Sequence, residues 1–409
     1  MLRKMRDRLA AAPLPLRLLV CAALLKFLCS GLYLPLFANG SDFALVHEAG
    51  AKVISGQGAR LYDEFLAYRP DNEDTLFFMY PPAVAVFYAP LAALPLPAAQ
   101  TIFGLLCAAA VLGAFLVWAR RRGLEPGSEA WFLAGSMVLL FFPLDYSAWL
   151  GQNDAVVLLL VVLALAGEKR PWLSGLALAA AIWLRVFLGF TLFFFLLARQ
   201  WRRLGSTLFW LLALAALSLA VVPWEVQLQY YAGLGRELGI ESFYDNQSLT
   251  GLIFRLFTQG PYTRGLLHAP GLARSLTVLA SVLLAAGFAA AIWRGGEEAR
   301  GDRGFALALV TALLLSPHSD THHQALLLVP LLLLVERPPV ATGTLLYYGF
   351  FAAFVPVVAF RFLDAGRLAF LASGLWSLVY SLPVLVLLGF WRFCARDLTS
   401  PACAPARTR

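Results

Sequence analysis

A chain of 409 residues with 60% hydrophobic and 14% charged side chains and a mean hydropathy of +0.74 falls outside soluble globular composition, where apolar residues make up about half and charged ones about a quarter. This excludes a soluble enzyme and describes a polytopic membrane protein, with no room for a soluble domain above about 50 residues between its apolar runs. The net charge of +8 would point to nucleic acid in a soluble protein. In this chain it is a topology signal, and no nucleic-acid partner is expected.

The N-terminus carries Arg3, Lys4, Arg6, Arg8 and Arg17 ahead of an apolar run at 18–38 that lacks an A-x-A cleavage site. It reads as a retained signal anchor. Further spans are predicted at 97–119, 129–145, 153–167, 171–184, 186–198, 205–223, 271–294, 303–317, 322–335, 340–360 and 367–392. The expectation is an all-α polytopic fold of about twelve transmembrane helices in one integral-membrane domain covering 1–409, with both termini cytoplasmic. The basic loops holding Arg120–Arg122, Lys169, Arg170, Arg199–Arg203, Arg294–Arg303 and Arg337 then also lie inside, as the positive-inside rule asks. The protein is placed in the plasma (inner) membrane. Its two large polar loops, 39–96 and 224–270, face the outer (periplasmic or extracellular) side. Within the first, YPPAVAVFYAPLAALP at 80–95 is read as an interfacial helix opened by Pro81 and Pro82, since a prolyl residue costs least at a helix start. The cysteines at 21, 29, 107, 394 and 403 lie in spans or the tail and imply no disulfide framework.

All five histidines, His47, His268, His318, His322 and His323, fall in or beside outer segments, so chemistry is expected on that face. Asp42 follows closely on the first span. It suits a general base towards a hydroxyl, or an N-cap for the helix FALVHEAGAKVI. His47 and Glu48 read as surface residues of that helix. The segment SPHSDTHHQ, 316–324, brings three histidines and Asp320 between two spans. The i, i+4 pair His318 and His322 allows a metal reading, and hydrogen bonding to phosphate or sugar is the other. No metal is assigned and no cofactor is expected, because Asp42 has no second carboxylate beside it. GQND (151–154) and DNQS (245–248) are amide turns that suit sugar hydroxyls, since an amide both donates and accepts; helix capping by Asn153 or Asp154 is the alternative. Arg185, alone between two short apolar stretches, either holds a lipid phosphate or snorkels to the interface. Lys26, within the first span, snorkels or is internally paired. Trp224, Tyr230, Tyr231, Phe243, Tyr244 and Tyr262 read as an interfacial belt, Asp71, Glu73 and Asp74 as a solvated loop, and the sequons at Asn39 and Asn246 as accidental.

As a set, Asp42, the Tyr80-Pro81-Pro82 helix start, GQN at 151–153, Arg185, NQSL at 246–249 with Arg255 beyond, and SP…HH at 316–323 resemble glycosyltransferase family 87, of the C-type superfamily. The resemblance runs from about 40 to 335. It implies a C-type glycosyltransferase fold and an inverting transfer of a sugar from a polyprenyl-phosphate donor to a glycolipid or cell-envelope glycan hydroxyl. Mannose is the usual sugar, with arabinose or glucose as alternatives. It further implies Asp42 as the base, Arg185, His318, His322, His323 and Arg255 on the donor's phosphate and lipid, and Tyr80, Gln152, Asn153, Asn246, Gln247 and Asp320 on sugar and acceptor. Three departures bear on the sugar and acceptor: Arg185-Val186 stands where relatives often have Lys-Pro, Asp320 where they often have Trp, and nothing after 392 reads as an accessory domain. The competing class is a transporter or flippase for a lipid-linked sugar. Such proteins often carry internal repeats and a midplane site, whereas the polar clusters here lie at one face.

Overall fold

The structure, a computed structural model, describes residues 2–29, 40–67, 77–234, 240–260, 263–335 and 373–399. Among these the chain is helical, with β-structure limited to the isolated bridges Gln259–Arg264 and Arg264–Ser373. The helices that carry the argument are α1 (Leu2–Ala11), α2 (Leu14–Phe27), α3 (Ser41–Ile54), α4 (Pro82–Ala92), α5 (Leu96–Arg121), α6 (Glu129–Leu139), α7 (Phe142–Leu150), α8 (Asp154–Ala166), α9 (Pro171–Leu184), α10 (Trp201–Val221), α11 (Leu249–Phe257), α12 (Pro270–Arg294), α13 (Asp302–Leu315) and α14 (Leu382–Thr399).

Among the described residues, length and composition qualify four segments to cross a membrane: Leu96–Arg121, Glu129–Leu150, Trp201–Val221 and Pro270–Arg294. Gly374–Tyr380 with Leu382–Thr399, bent by 59°, makes a fifth if the pair is one span. The spans predicted at 153–167, 171–184, 186–198 and 322–335 are apolar helices of shorter reach, Asp154–Ala166, Pro171–Leu184, Val186–Leu197 and Thr321–Leu334. A perpendicular crossing takes about 20 residues. The span predicted at 340–360, much of those at 18–38 and 367–392, and Asn39, Asp71, Glu73, Asp74, Tyr262 and Cys403 lie outside the described residues.

The chain forms two compact units. The first comprises Met1–Tyr68, Asp74–Val186 and Gly205–Arg236. In it α8 packs between α5 and α9, α2 lies on α6, and α3 lies on α4. The break between α6 and α7 has a clear cause. Pro143 has no N–H, so the Leu139 carbonyl four residues earlier loses its helical donor. Lys26 supplies one from α2 at 2.6 Å and forms an ion pair with Asp145. Lys26 is therefore internally paired, as one of its two readings held.

The second unit comprises Arg69–Glu73, Phe187–Leu204 and Glu237–Arg409. Its centre is α13, buried from Gly304 to Leu314 on every side. A helix apolar all round is a core helix, and α13 packs against α12 and α14.

In the polar segment that follows α3, α4 starts as predicted, with Pro81 at the N-cap and a proline in the first turn. It ends at Ala92 and is 11 residues long. The α3–α4 contact closes over Gly50: a Cβ there would stand 3.0 Å from the Ala92 Cβ and 3.1 Å from the backbone of Tyr88 and Ala89. Gly50→Leu should therefore force the helices apart and lower stability by about 1–3 kcal/mol, read as a drop in unfolding temperature in detergent. An unchanged midpoint would contradict the close approach.

Candidate active site

In the first unit the polar groups converge on one amide. Helix α7 ends at Gly151, whose φ of 75° is left-handed, and the Gln152 N–H turns back to the Ser147 carbonyl at 2.8 Å. A Cβ on Gly151 would sit 2.7 Å from the Phe43 Cβ, so the turn and the start of α3 meet only with glycine at this place. Gln152 thereby reaches Asp42. Its Nε2 donates to Asp42 Oδ2 at 2.7 Å and lies 2.8 Å from the Tyr80 hydroxyl. Its Oε1 accepts from Arg185 Nη2 at 2.6 Å. Arg185 is clamped by Asp154, Nε to Oδ1 at 3.0 Å and Nη2 to Oδ2 at 3.1 Å, and Asp154 also accepts from Ser147 Oγ at 3.0 Å. Arg185 and Asp154 are 4% and 1% exposed.

Asp42 is half-buried. The N-cap of α3 is Gly40, also left-handed, and Asp42 lies inside the first turn. The capping alternative is thus set aside in favour of side-chain bonds to Gln152 and to Ser41, 3.1 Å away. The Arg185 guanidinium lies 5.6 Å from the centre of the Tyr80 ring, and Tyr62 fixes the Tyr80 carbonyl by a 2.6 Å hydrogen bond. Burial raises the Tyr80 phenol above its ordinary value, opposed by Arg185 and assisted by Asp42, which keeps its proton available for donation. Burial works against the Arg185 charge, and Asp154 more than restores it.

The second unit holds the other polar cluster. Asn246, fully buried, donates to the carbonyls of Glu241 and Pro317, each at 3.0 Å, and accepts from the Ser319 N–H at 3.0 Å and Ser248 Oγ at 2.8 Å. Gln247 bonds the Ser319 carbonyl through its N–H and the Tyr244 carbonyl through its side chain. Arg255, on α11 and also fully buried, donates to the carbonyls of Phe243 and Asn246 at 2.8 Å and to Ser381 Oγ at 2.9 Å. Burial, with Asp245 opposing, lowers it to about 9. Asp320 caps the 3-10 helix Thr321–Leu327 reciprocally with His323, and its carboxylate meets His318 Nε2 at 3.1 Å. Burial would depress His318, but Asp320 outweighs it and the imidazole is raised above 6.5. Asp245 accepts from Thr321. Asp245, Asp320 and His322 offer ligand atoms within 4.8 Å of one another, an arrangement of three ligands that a cation could use.

The model of glycosyltransferase family 87 matches residues 78–317, more than half of the chain. The chain belongs to glycosyltransferase family 87. It is 30% identical over 308 residues, 74% of this chain and 72% of the other, to the polyprenol-phosphate-mannose-dependent alpha-(1-2)-phosphatidylinositol pentamannoside mannosyltransferase of Mycolicibacterium smegmatis. To the protein of the same name from Mycobacterium tuberculosis it is 29% identical over 308 residues, 73% of this chain and 68% of the other. A third relative, the polyprenol-phosphate-mannose-dependent alpha-(1-2)-phosphatidylinositol mannoside mannosyltransferase of M. smegmatis, is 27% identical over 292 residues, 65% of this chain and 63% of the other.

For this family-87 glycosyltransferase the structure redistributes several expected roles. Tyr80, Gln152, Arg185 and Asp42 come together; Asn153 adjoins them, 2% exposed and with no capping bond from its side chain. Arg185 does not snorkel: it is 4% exposed, and Asp154 engages its Nε and Nη2. Asn246 and Arg255, expected on sugar and donor phosphate, are enclosed and committed to backbone carbonyls; they build the turn instead. The sequon at Asn246 is buried with them. In the predicted belt, Trp224 and Tyr231 are exposed and Tyr230 is buried. His47 bonds the Leu94 carbonyl at 3.0 Å and Glu48 pairs with Lys52 at 3.2 Å.

Sequence reasoning placed Asp154 in a sugar-binding or helix-capping turn, and named Asp245, Ser319 and Thr321 only as members of the segments 245–248 and 316–324, with no role of their own. The available signal for Asp154 was a lone acid and a lone arginine, each beside an apolar helix, a combination that burial turns into a pair. Asn246→Ala would strip four hydrogen bonds made by a fully buried side chain and should destabilise the protein by about 2–4 kcal/mol. Thermal unfolding in detergent measures it, and a loss of transfer without destabilisation would instead return Asn246 to a substrate role.

Proposed function

We propose that the protein is a polyprenyl-phosphate-mannose-dependent mannosyltransferase of the plasma membrane, acting on a hydroxyl of a mannose-bearing glycolipid. Family membership and the printed activities of its relatives support the donor and the sugar. The observation that carries the mechanism is Asp42, a half-buried carboxylate at the head of α3 held by Gln152 and Ser41.

In the proposed step the acceptor oxygen attacks the anomeric carbon while its proton passes to Asp42. The bond from that carbon to the phosphate oxygen breaks, and the polyprenyl phosphate leaves with the electron pair. A single displacement inverts the centre, so an α-linked product, as in the relatives' names, requires a β-linked donor. Tyr80 and Asn153 are proposed to meet the sugar or acceptor, and His318, His322 and His323 to serve the departing phosphate. The reaction is proposed to be metal-independent. Asp245 and Asp320 are already engaged by Thr321, by His318 and by a helix N-terminus.

Asp42→Asn should lower kcat for transfer from polyprenyl-phosphate mannose by about 10²–10⁴-fold with an unchanged unfolding temperature, and EDTA in the same assay should leave wild-type turnover intact. Near-normal turnover in that variant, or loss of activity restored by added divalent metal, would remove the corresponding assignment.

The twelve-span architecture, as one domain with cytoplasmic termini and an outward-facing site, is proposed on the charge bias of the loops. In a background with all cysteines replaced by serine, an impermeant maleimide added to intact cells should label Gln57→Cys and spare Lys169→Cys. The reverse pattern would invert the topology and, with it, the need for a lipid-borne donor.

A further inference from the structure

Gln152 is the one neutral link between Asp42 and a buried ion pair, and its orientation is dictated from behind. A guanidinium only donates, so the end of the amide facing Arg185 must be the oxygen, 2.6 Å away. The NH₂ end is thereby turned to Asp42 Oδ2 at 2.7 Å. A flipped amide would set donor against donor at Arg185 and acceptor against acceptor at Asp42, replacing two attractions by two repulsions. Arg185 cannot swing away, because both its Nε and its Nη2 are seated on Asp154, which Ser147 holds in turn. Gln152 itself is only 7% exposed.

We propose that Asp154, Arg185 and Gln152 form a positioning relay that aims the Asp42 carboxylate, with Gln152 on Oδ2 and Ser41 Oγ on one lone pair of Oδ1, so that the second lone pair of Oδ1 faces the incoming hydroxyl. Gln152 is then a positioning residue, not a sugar ligand, and Arg185 acts through it rather than on the donor phosphate. The Nε2 hydrogens of Gln152 go to Asp42 and to the Tyr80 hydroxyl. The Tyr80 hydroxyl in turn donates to Gln152 Oε1 at 3.1 Å, so both ends of the amide hold it. This inference rests on Asp42 being the base.

The test uses the full-length protein in detergent with polyprenyl-phosphate mannose and a phosphatidylinositol mannoside acceptor, and measures kcat and KM separately. Gln152→Leu removes a hydrogen bond to a charged acceptor, and should lower kcat about ten- to a hundredfold while both KM values change by less than about threefold. Gln152→Glu, which can still pair with Arg185 but turns a like charge on Asp42, should fall at least as far. If Gln152→Leu fails to fold, Gln152→Glu and Asp154→Asn carry the same expectation. A raised KM at unchanged kcat would make Gln152 a substrate ligand and overturn the relay. So would full kcat in Gln152→Leu beside an inactive Asp42→Asn. An active Asp42→Asn would overturn the base assignment itself, a result distinct from either.

Discussion

The ion pair between Arg185 and Asp154 is the interaction on which the first unit's polar architecture depends. Each charge buried alone would cost several kcal/mol, and each is a hydrogen-bonded counter-ion of the other. Their two parallel contacts match the planar fork of a guanidinium to a carboxylate, the geometry in which burial is best offset. The pair forces the rest into place. It fixes which end of Gln152 points at Asp42, and so it reaches the candidate base without touching it. A lysine at 185 would keep the charge and lose this, because a point donor cannot hold Asp154 with two parallel bonds and still address Gln152.

Two glycines in left-handed conformation make the encounter of Asp42 and Gln152 possible. Gly40 starts α3 and Gly151 ends α7, with φ values of 53° and 75°. The two lie against each other, since a Cβ on Gly151 would come 3.4 Å from the Gly40 Cα. Helix ends carry unpaired backbone groups, and in an apolar protein they are natural places for polar side chains to gather. The candidate base and its amide partner therefore sit at such ends rather than on helix flanks. The same logic places Lys26 on the Leu139 carbonyl that Pro143 leaves without a donor.

Much of this was legible in the sequence, and what was not has a physical cause. Composition alone gives an apolar helical protein, and the doubled proline at 81–82 gives the start of α4 to the residue. Asp42, Tyr80, Gln152 and Arg185 were each singled out by residue type and position. Their mutual contacts were not, because these depend on the long-range meeting of α3, the 151–154 turn and the end of α9, which no local pattern encodes. Asp154 was misread for the same reason: a helix-capping site and an ion-pair partner look alike until the arginine is brought to it. Span length was the less legible part, since a helix buried inside the protein, such as α13, is as apolar as one facing lipid. Arg255 and Asn246 show the converse error. A polar residue among apolar ones was taken for a ligand contact, when the backbone of a buried turn was the partner in need.

Both units resolve the burial of polar groups by the same chemical choice. Each cluster turns on a carboxamide, Gln152 in one and Asn246 in the other, with donors and acceptors engaged on both faces. A carboxamide carries no net charge and so escapes the ionic desolvation penalty. It can also join a group that only donates to one that only accepts, as Gln152 does between Arg185 and Asp42. An ionised residue there could satisfy only one side: glutamate would bond Arg185 and repel Asp42, lysine the opposite. Such a hub has no capacity left for a sugar hydroxyl. Where the structure spends an amide fully on its own chain, substrate recognition must come from neighbours with valence to spare. In the first unit the Asn153 side-chain oxygen, buried without a partner, is a group of that kind.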